Sequence, residues 1–358
     1  MEKTANGLLM LAERNLNMKK SLYCGIDLHS SNAVYVITDS SDKVLLKKRL
    51  PNDLATILAT LEPFRKQLVM VVVESTYNWY WLVDGLMEAG YPVKLANPAA
   101  IDQYDGIKQA DDLIDAAFLA RLARLNILPT GYIYPKEERP VRDLLRRRTL
   151  LVRQRTAIKL SLQNMFTRQA ALNINWRGIR RLSVKERSEA LNDQDYLLFV
   201  TKEQLELIEQ LNAHVTQFED KVLERIELKP EYEYLLTIPG VGVILGLTIM
   251  LETGEIDRFP HVGNYTSYCR CAMANKTSNG KSKGKNNSKN GNPRLAWAFV
   301  EVVHHATRSC PKAKQFYDRK MSKRNGALAT KALAAKWSKA AYYVMKRQEA
   351  FDLKRVFG

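Results

Sequence analysis

The sequence predicts three parts: an α/β N-terminal domain, a long helical coiled-coil hairpin, and a mainly α C-terminal domain. Three observations lead there. Short Val- and Ile-rich runs alternate with helical-period segments over the first 130 residues. Two long heptad-like stretches follow, over about 137–170 and 202–227. Beyond residue 231 the pattern is helical, with one interruption of lysine, glycine, asparagine and serine. The domains read from these shifts are 1–130, 131–230 and 231–358.

The first twenty residues read as a frayed or helical lead-in. Leu22–Asp27 reads as a buried strand ending on a carboxylate. Ser31–Thr38 and Lys43–Leu50 read as two more strands, joined by the turn Asp39-Ser40-Ser41-Asp42. Asn52 or Asp53 caps a helix to about Lys66, with Leu54, Ile57, Leu58 and Leu61 at helical spacing. Leu68–Glu74 is an unbroken apolar run ending on an acid, typical of a strand buried on both faces. A helix over about 79–89, a strand over 92–95 and a helix over about 111–125 complete the order β-β-β-α-β-α-β-α. Three antiparallel strands followed by αβ units is the RNase H-like arrangement. In it the strands ending on Asp27 and Glu74 are central neighbours.

Burying a lone carboxylate costs several kcal/mol unless a charge or metal compensates. Asp112 and Asp115 stand three residues apart at a helix start, so they share one face about 5–6 Å apart, where the dipole tolerates negative charge. The three-residue step favours Asp112 over Asp111 as the partner of Asp115. Acids at strand ends and helix starts are commonly just solvated, but four converging from three elements repel one another. Two Mg²⁺ ions held about 4 Å apart cancel such repulsion and serve phosphodiester chemistry.

With 55 Lys and Arg against 38 Asp and Glu, the chain carries a net charge of +17, which favours a polyanionic partner, nucleic acid first. No apolar stretch approaches the roughly 20 residues needed to span a bilayer, and the N-terminus does not read as a signal peptide. The expected location is the cytoplasm, on the nucleoid. Cys24, Cys269, Cys271 and Cys310 read as reduced thiols without zinc spacing, and the five histidines form no metal pattern.

The first long helix carries Arg142, Arg146, Arg147, Arg148, Arg153, Arg155 and Lys159. Such a run is more often a solvated face, but backbone contact fits the charge. In the second, Leu205, Ile208, Leu211, Val215, Phe218, Val222 and Ile226 recur at steps of three and four. The two form an antiparallel hairpin or a dimer interface. Ile238-Pro239-Gly240-Val241-Gly242 resembles a helix-hairpin-helix turn, in which Gly240 and Gly242 expose amides to a phosphate. Residues 275–294 hold six basic residues and no acid, among them Lys276, Lys281, Lys283, Lys285 and Lys289. Composition gives a flexible basic loop, either a linker or a segment that orders on a phosphate backbone. A serine there can attack phosphorus, with cations steadying the charge; composition does not choose among Ser278, Ser282 and Ser288.

Four stretches together resemble a known family: Gly25-Ile26-Asp27-Leu28-His29, Val73-Glu74-Ser75-Thr76, Asp112-Leu113-Ile114-Asp115-Ala116, and the block from Ile238 through Ser278-Asn279-Gly280-Lys281 to Asn292. The chain resembles the DEDD transposases of the IS-one-ten insertion sequences, in the IS-eleven-eleven branch. The resemblance implies a RuvC-like domain whose metal-binding tetrad is Asp27, Glu74, Asp112 and Asp115. It implies a C-terminal transposase domain with the nucleophile at Ser278. It also implies recombination guided by a structured noncoding RNA from the same element, in a dimer or tetramer where one protomer's tetrad faces another's serine. Relatives often carry Lys-Thr where this chain has Gln109-Ala110. The competing functions are a metal-dependent RuvC-like nuclease or junction resolvase without serine chemistry, and a non-enzymatic nucleic-acid-binding protein.

Overall fold

A computed structural model describes residues 21–101, 111–226, 228–272, 275–279, 281–285 and 290–357. The lead-in, Lys108–Ala110, Gly280, Ser288 and Lys289 lie outside the described residues. The chain divides into two compact units, 1–134 and 135–358.

In the first unit β1 (Leu22–Leu28), β2 (Asn32–Thr38) and β3 (Val44–Pro51) form an antiparallel meander. β4 (Leu68–Glu74) lies parallel to β1, β5 (Val93–Ala96) parallel to β4, and the short β6 (Thr130–Gly131) antiparallel to β5. The sheet order is β3-β2-β1-β4-β5-β6, so β1 and β4 are central neighbours as the sequence predicts. This mixed sheet is compatible with an RNase H-like domain. β6 was not foreseen, since two residues carry no periodicity.

Alternation along the strands sorts the two faces. Cys24, Ile26, Leu28, Val71 and Val73 point into one core, covered by α1 (Leu54–Leu61) and α2 (Tyr80–Glu88). Asp53 starts α1 by accepting from the Thr56 amide at 2.7 Å. Tyr23, Gly25, Asp27, Val72 and Glu74 belong to the opposite face. There α3 (Asp112–Arg124) lies against β1 and β2, burying Ala116, Leu119, Ala120 and Ala123. Its C-terminal end is tied to the β2–β3 turn by a bidentate Arg124–Asp42 pair, both contacts 2.6 Å.

The second unit is helical apart from one hairpin. α4 (Arg139–Ala170) matches the predicted long helix closely. α5 (Trp176–Arg181) and α6 (Val184–Ala190) fill what the sequence left as a connector. α7 (Asp195–Arg225) begins seven residues before the predicted start. Arg148 Nε bonds Glu219 at 2.8 Å and Arg155 bonds Asn212 at 2.8 Å, so seven residues forward on α4 match seven backward on α7: the helices run antiparallel.

α8 (Glu231–Leu236), α9 (Val243–Thr253), α10 (Val262–Tyr268), α11 (Pro293–Ser309), α12 (Pro311–Lys323), α13 (Gly326–Arg347) and α14 (Leu353–Phe357) follow. α12 was not foreseen. α9 is buried on every side from Leu245 to Thr253, as an all-round apolar helix must be. The expected flexible loop instead contains a two-stranded hairpin, β7 (Asn275–Ser278) and β8 (Lys281–Lys285). Among the described residues no helix is long and apolar enough to cross a membrane. All four cysteines are buried and unbridged.

Candidate active site

The site of the first unit is built at the C-terminal ends of β1 and β4. Because side chains alternate, Asp27 and Glu74 emerge on the face that α3 covers. α3 starts at that edge. Asp111 is its N-cap, accepting from the Leu113 amide at 3.3 Å. Asp112 is then the first helical residue and Asp115 lies one turn on, so the helix start delivers two carboxylates toward the two strand ends. Gly25 makes this close seating possible: a Cβ there would meet the Ala116 carbonyl oxygen at 1.9 Å.

Asp27 is 6 % exposed, while Glu74, Asp112 and Asp115 are half-buried. Asp27 and Glu74 lie close enough for each to shift the titration of the other. Burial pushes the Asp27 carboxyl above its ordinary range; His29 works against this, and the charges of Asp112 and Asp115 add to it. Burial, then repulsion from Asp27 and Asp115, does the same to Glu74. Asp115 is raised by burial and by Asp112 and Asp111. Asp112 alone goes the other way, because Arg49 of β3 donates to it at 2.6 Å. Three of the four acids are held above the usual carboxylate range, first by burial and then by mutual repulsion. All donors are oxygen apart from a nearby imidazole. That set suits a hard divalent cation, which would favour the ionised form of every acid.

Sequence reasoning did not single out His29. Its Nε2 lies 3.3 Å from Asp27 Oδ2 and 3.2 Å from Asp112 Oδ2. Asn78 and Asn52 donate to its carbonyl at 2.9 and 3.1 Å. The signal was present as the second residue after the strand-ending Asp27, but adjacency along one strand end does not say which way the ring turns.

In the second unit the four arginines predicted to bind nucleic acid separate into two kinds. Arg146 forms a bidentate pair with Glu252 at 2.6 and 2.8 Å, and Arg148 pairs with Glu219. Arg147 and Arg153 are exposed on α4. Glu252 is 2 % exposed and also accepts from Asn292 at 2.9 Å. Gly240 has φ +89 and packs on α11, where a Cβ would meet the Val302 carbonyl at 2.5 Å. Gly242 is the N-cap of α9, and a Cβ there would meet nothing within 4 Å.

Ser278 closes the hairpin opposite Lys281, and Asn279, with φ +51, opens the turn. Lys276, Lys283 and Lys285 lie on its strands, and Lys281 is exposed. The return of the chain is anchored: Arg270 donates to the carbonyls of Asn290 and Gly291 at 3.0 and 3.2 Å, and the Asn292 amide to Tyr268 at 2.6 Å.

Comparison with known proteins agrees with both halves. Residues 24–169 match the family model DEDD_Tnp_IS110, a transposase. Residues 232–318 match the model of the transposase IS116/IS110/IS902 family. The transposase for insertion sequence element IS1111A of Coxiella burnetii is 21 % identical over 358 residues, covering 95 % of this chain and 93 % of that protein. The chain belongs to the IS110 family of insertion-sequence transposases and is a DNA transposase by activity.

Proposed function

We propose that this transposase cuts and rejoins DNA with a metal-holding tetrad, Asp27, Glu74, Asp112 and Asp115, and a nucleophilic serine, Ser278, guided by a structured noncoding RNA of its own element. Family membership implies DNA as substrate and a divalent metal. The observation that supports the reading is that acids from β1, β4 and α3 perturb one another's titration, with ligand atoms of Asp27 and Asp112 within 4.8 Å of each other.

Mg²⁺, as two ions, supplies charge neutralisation at the scissile phosphate when bound. The protein does the rest. The four carboxylates hold the metal. Ser278 Oγ attacks phosphorus and gives up its proton as the bond to a deoxyribose oxygen breaks; that oxygen leaves as a hydroxyl. The product is a phosphoserine ester with DNA. A hydroxyl of another DNA end then attacks this ester, restoring a phosphodiester and freeing the serine. Because the ester conserves the phosphodiester's energy, joining needs no external activation.

Arg147, Arg153, Lys276, Lys281, Lys283, Lys285 and Lys289 serve the nucleic-acid backbone in this reading. Gly242 offers an amide where a phosphate approaches closely. Arg146 and Arg148 shape the helices that present these groups, and Gly240 fixes the turn before α9. The protein acts as a homo-oligomer, dimer or tetramer, in the bacterial cytoplasm on the nucleoid.

The test is covalent trapping. Protein, the element's noncoding RNA, labelled junction DNA and Mg²⁺ are combined, denatured and resolved beside Ser278→Ala and Glu74→Gln. A protein–DNA adduct that both substitutions remove is the expected result. Free cut DNA from Ser278→Ala, with no adduct from the unaltered protein, would make the chain a hydrolytic nuclease.

A further inference from the structure

We propose that His29 is a ligand of the same metal site, adding an imidazole nitrogen to the carboxylates of Asp27 and Asp112 and biasing the site toward Mn²⁺ over Mg²⁺. This rests on the tetrad reading above and adds a residue that the acid pattern does not contain.

The geometry points there in three ways. First, the spacing is that of ligands. One atom each from Asp27, His29 and Asp112 lies within 4.8 Å of the others, and His29 Nε2 stands 3.3 and 3.2 Å from the two carboxylate oxygens. Neighbouring donors on an octahedral ion with bonds of about 2.1–2.2 Å stand about 3.0–3.1 Å apart. Charge-assisted hydrogen bonds of this kind are shorter, about 2.7–2.9 Å. Second, the direction is that of ligands. Nε2 is shielded from water, and its N–H points squarely at neither oxygen, although the imidazole still helps to lower the Asp112 carboxyl. Donors around an ion aim at the ion and not at one another, so close oxygens lying off the ring's N–H axis are what a shared cation requires.

Third, the ring is carried on a fixed backbone. The His29 amide donates to Asn32 at 2.9 Å, and Asn78 and Asn52, from the loops after β4 and β3, hold its carbonyl. Thr76 Oγ1 in turn lies 2.9 Å from Asn78 Oδ1, which links His29 to the loop leaving Glu74. Arg49 occupies one side of Asp112 Oδ2. A carboxylate oxygen has two lone pairs, so it can meet the guanidinium and a cation together. Imidazole is a poorer donor to Mg²⁺ than to first-row transition metals, whose affinity for nitrogen sites rises from Mn²⁺ onward.

The experiment uses the full-length protein and Mn²⁺ alone as probe. Mn²⁺ binding is followed by electron paramagnetic resonance, and nitrogen ligation by electron spin-echo modulation, for the unaltered protein, His29→Gln and Asp27→Asn. The expected result is ¹⁴N modulation that His29→Gln removes, with a loss of Mn²⁺ affinity of about tenfold or more and a smaller loss for Mg²⁺ in competition. Unaltered protein labelled with ¹⁵N-histidine must show the modulation at ¹⁵N frequencies, so the result does not depend on a variant folding. Mn²⁺ bound in an Asp27-dependent way without nitrogen modulation overturns the His29 assignment and leaves the tetrad standing. Absence of any Asp27-dependent Mn²⁺ binding overturns the tetrad itself.

Discussion

Gly25 and Ala116 touch backbone to backbone: any Cβ at Gly25 would fall 1.9 Å from the Ala116 carbonyl oxygen and 2.8 Å from the Ala120 amide. This contact sets the height of α3 over β1, and with it the reach of Asp112 and Asp115 toward Asp27. Gly25→Ala must lift the helix. Overpacking of this kind costs about 1–3 kcal/mol, and the acids part. The expected outcome is a lowered melting temperature together with loss of metal-dependent stabilisation. A variant that melts normally and still responds to metal contradicts the assigned role of the contact.

Arg146 and Glu252 make the opposite kind of pair, one that joins α4 to the buried α9. Arg146→Ala removes the bidentate partner of a carboxylate that is 2 % exposed. The expected cost is about 3–5 kcal/mol, visible in chemical denaturation. Arg147→Ala and Arg153→Ala leave stability unchanged and weaken nucleic-acid binding, each lowering the slope of log affinity against log salt by about one. If Arg146→Ala kept full stability and lost only DNA affinity, the separation of the arginines would be wrong.

Glu252 also has a pH signature. Burial alone would raise its carboxyl, but Arg146, Asn292 and Arg142 outweigh burial and hold it below the usual range. A depressed folded value gives stability that is present above the unfolded pKa of about 4.3 and lost as pH falls through the folded value. Acid titration of stability is therefore expected to show a limb below about pH 4 that Glu252→Gln lacks. A Glu252→Gln protein with the same acid limb would remove Glu252 from the explanation.

Asp27 and Glu74 titrate with the other sign. Their folded values are raised by burial and then by neighbouring charge. Their contribution is complete below the unfolded range of about 4 and is lost as pH rises through the folded values. Divalent cations require the ionised acids, so the gain in melting temperature from Mg²⁺ or Mn²⁺ grows as pH rises from the ordinary carboxylate range of about 4 through the raised folded values. Asp27→Asn flattens this growth. A metal increment that does not change over that interval counts against a shared site.

The two turn glycines separate packing from binding. Gly240, with φ +89 and the Val302 carbonyl 2.5 Å from a would-be Cβ, has a structural reason to be glycine. Gly242 faces open space. Gly240→Ala is expected to lower the melting temperature. Gly242→Ala is expected to leave it unchanged and to weaken DNA binding, read by fluorescence anisotropy. Unchanged DNA affinity in a stable Gly242→Ala protein would leave that amide without a phosphate.

Much of the first unit was legible because its signals are local. Val-rich runs mark the strands, Asp53 and Asp111 cap the helices that follow them, and the order of elements fixes which strand ends are neighbours. Pairs that reach far across the sequence were harder to see. Arg49 reaches Asp112 from 63 positions away, and Arg146 finds Glu252 across 106; no periodicity encodes such pairs. The hairpin carrying Ser278 was hidden by its lysines, though Asn279-Gly280 is a strong two-residue turn signal. Likewise Ser183 and Glu186 form a capping box that announces α6. Composition dominated both stretches where turn and cap chemistry held the information.

The most direct measurement is metal-dependent strand cleavage of junction DNA by Asp27→Asn, Glu74→Gln and Asp115→Asn proteins whose DNA affinity is first shown to be intact. If the four acids work as one metal site, each substitution lowers cleavage by orders of magnitude at unchanged binding. Acid variants that cut DNA at the rate of the unaltered protein would place the chemistry elsewhere in the chain.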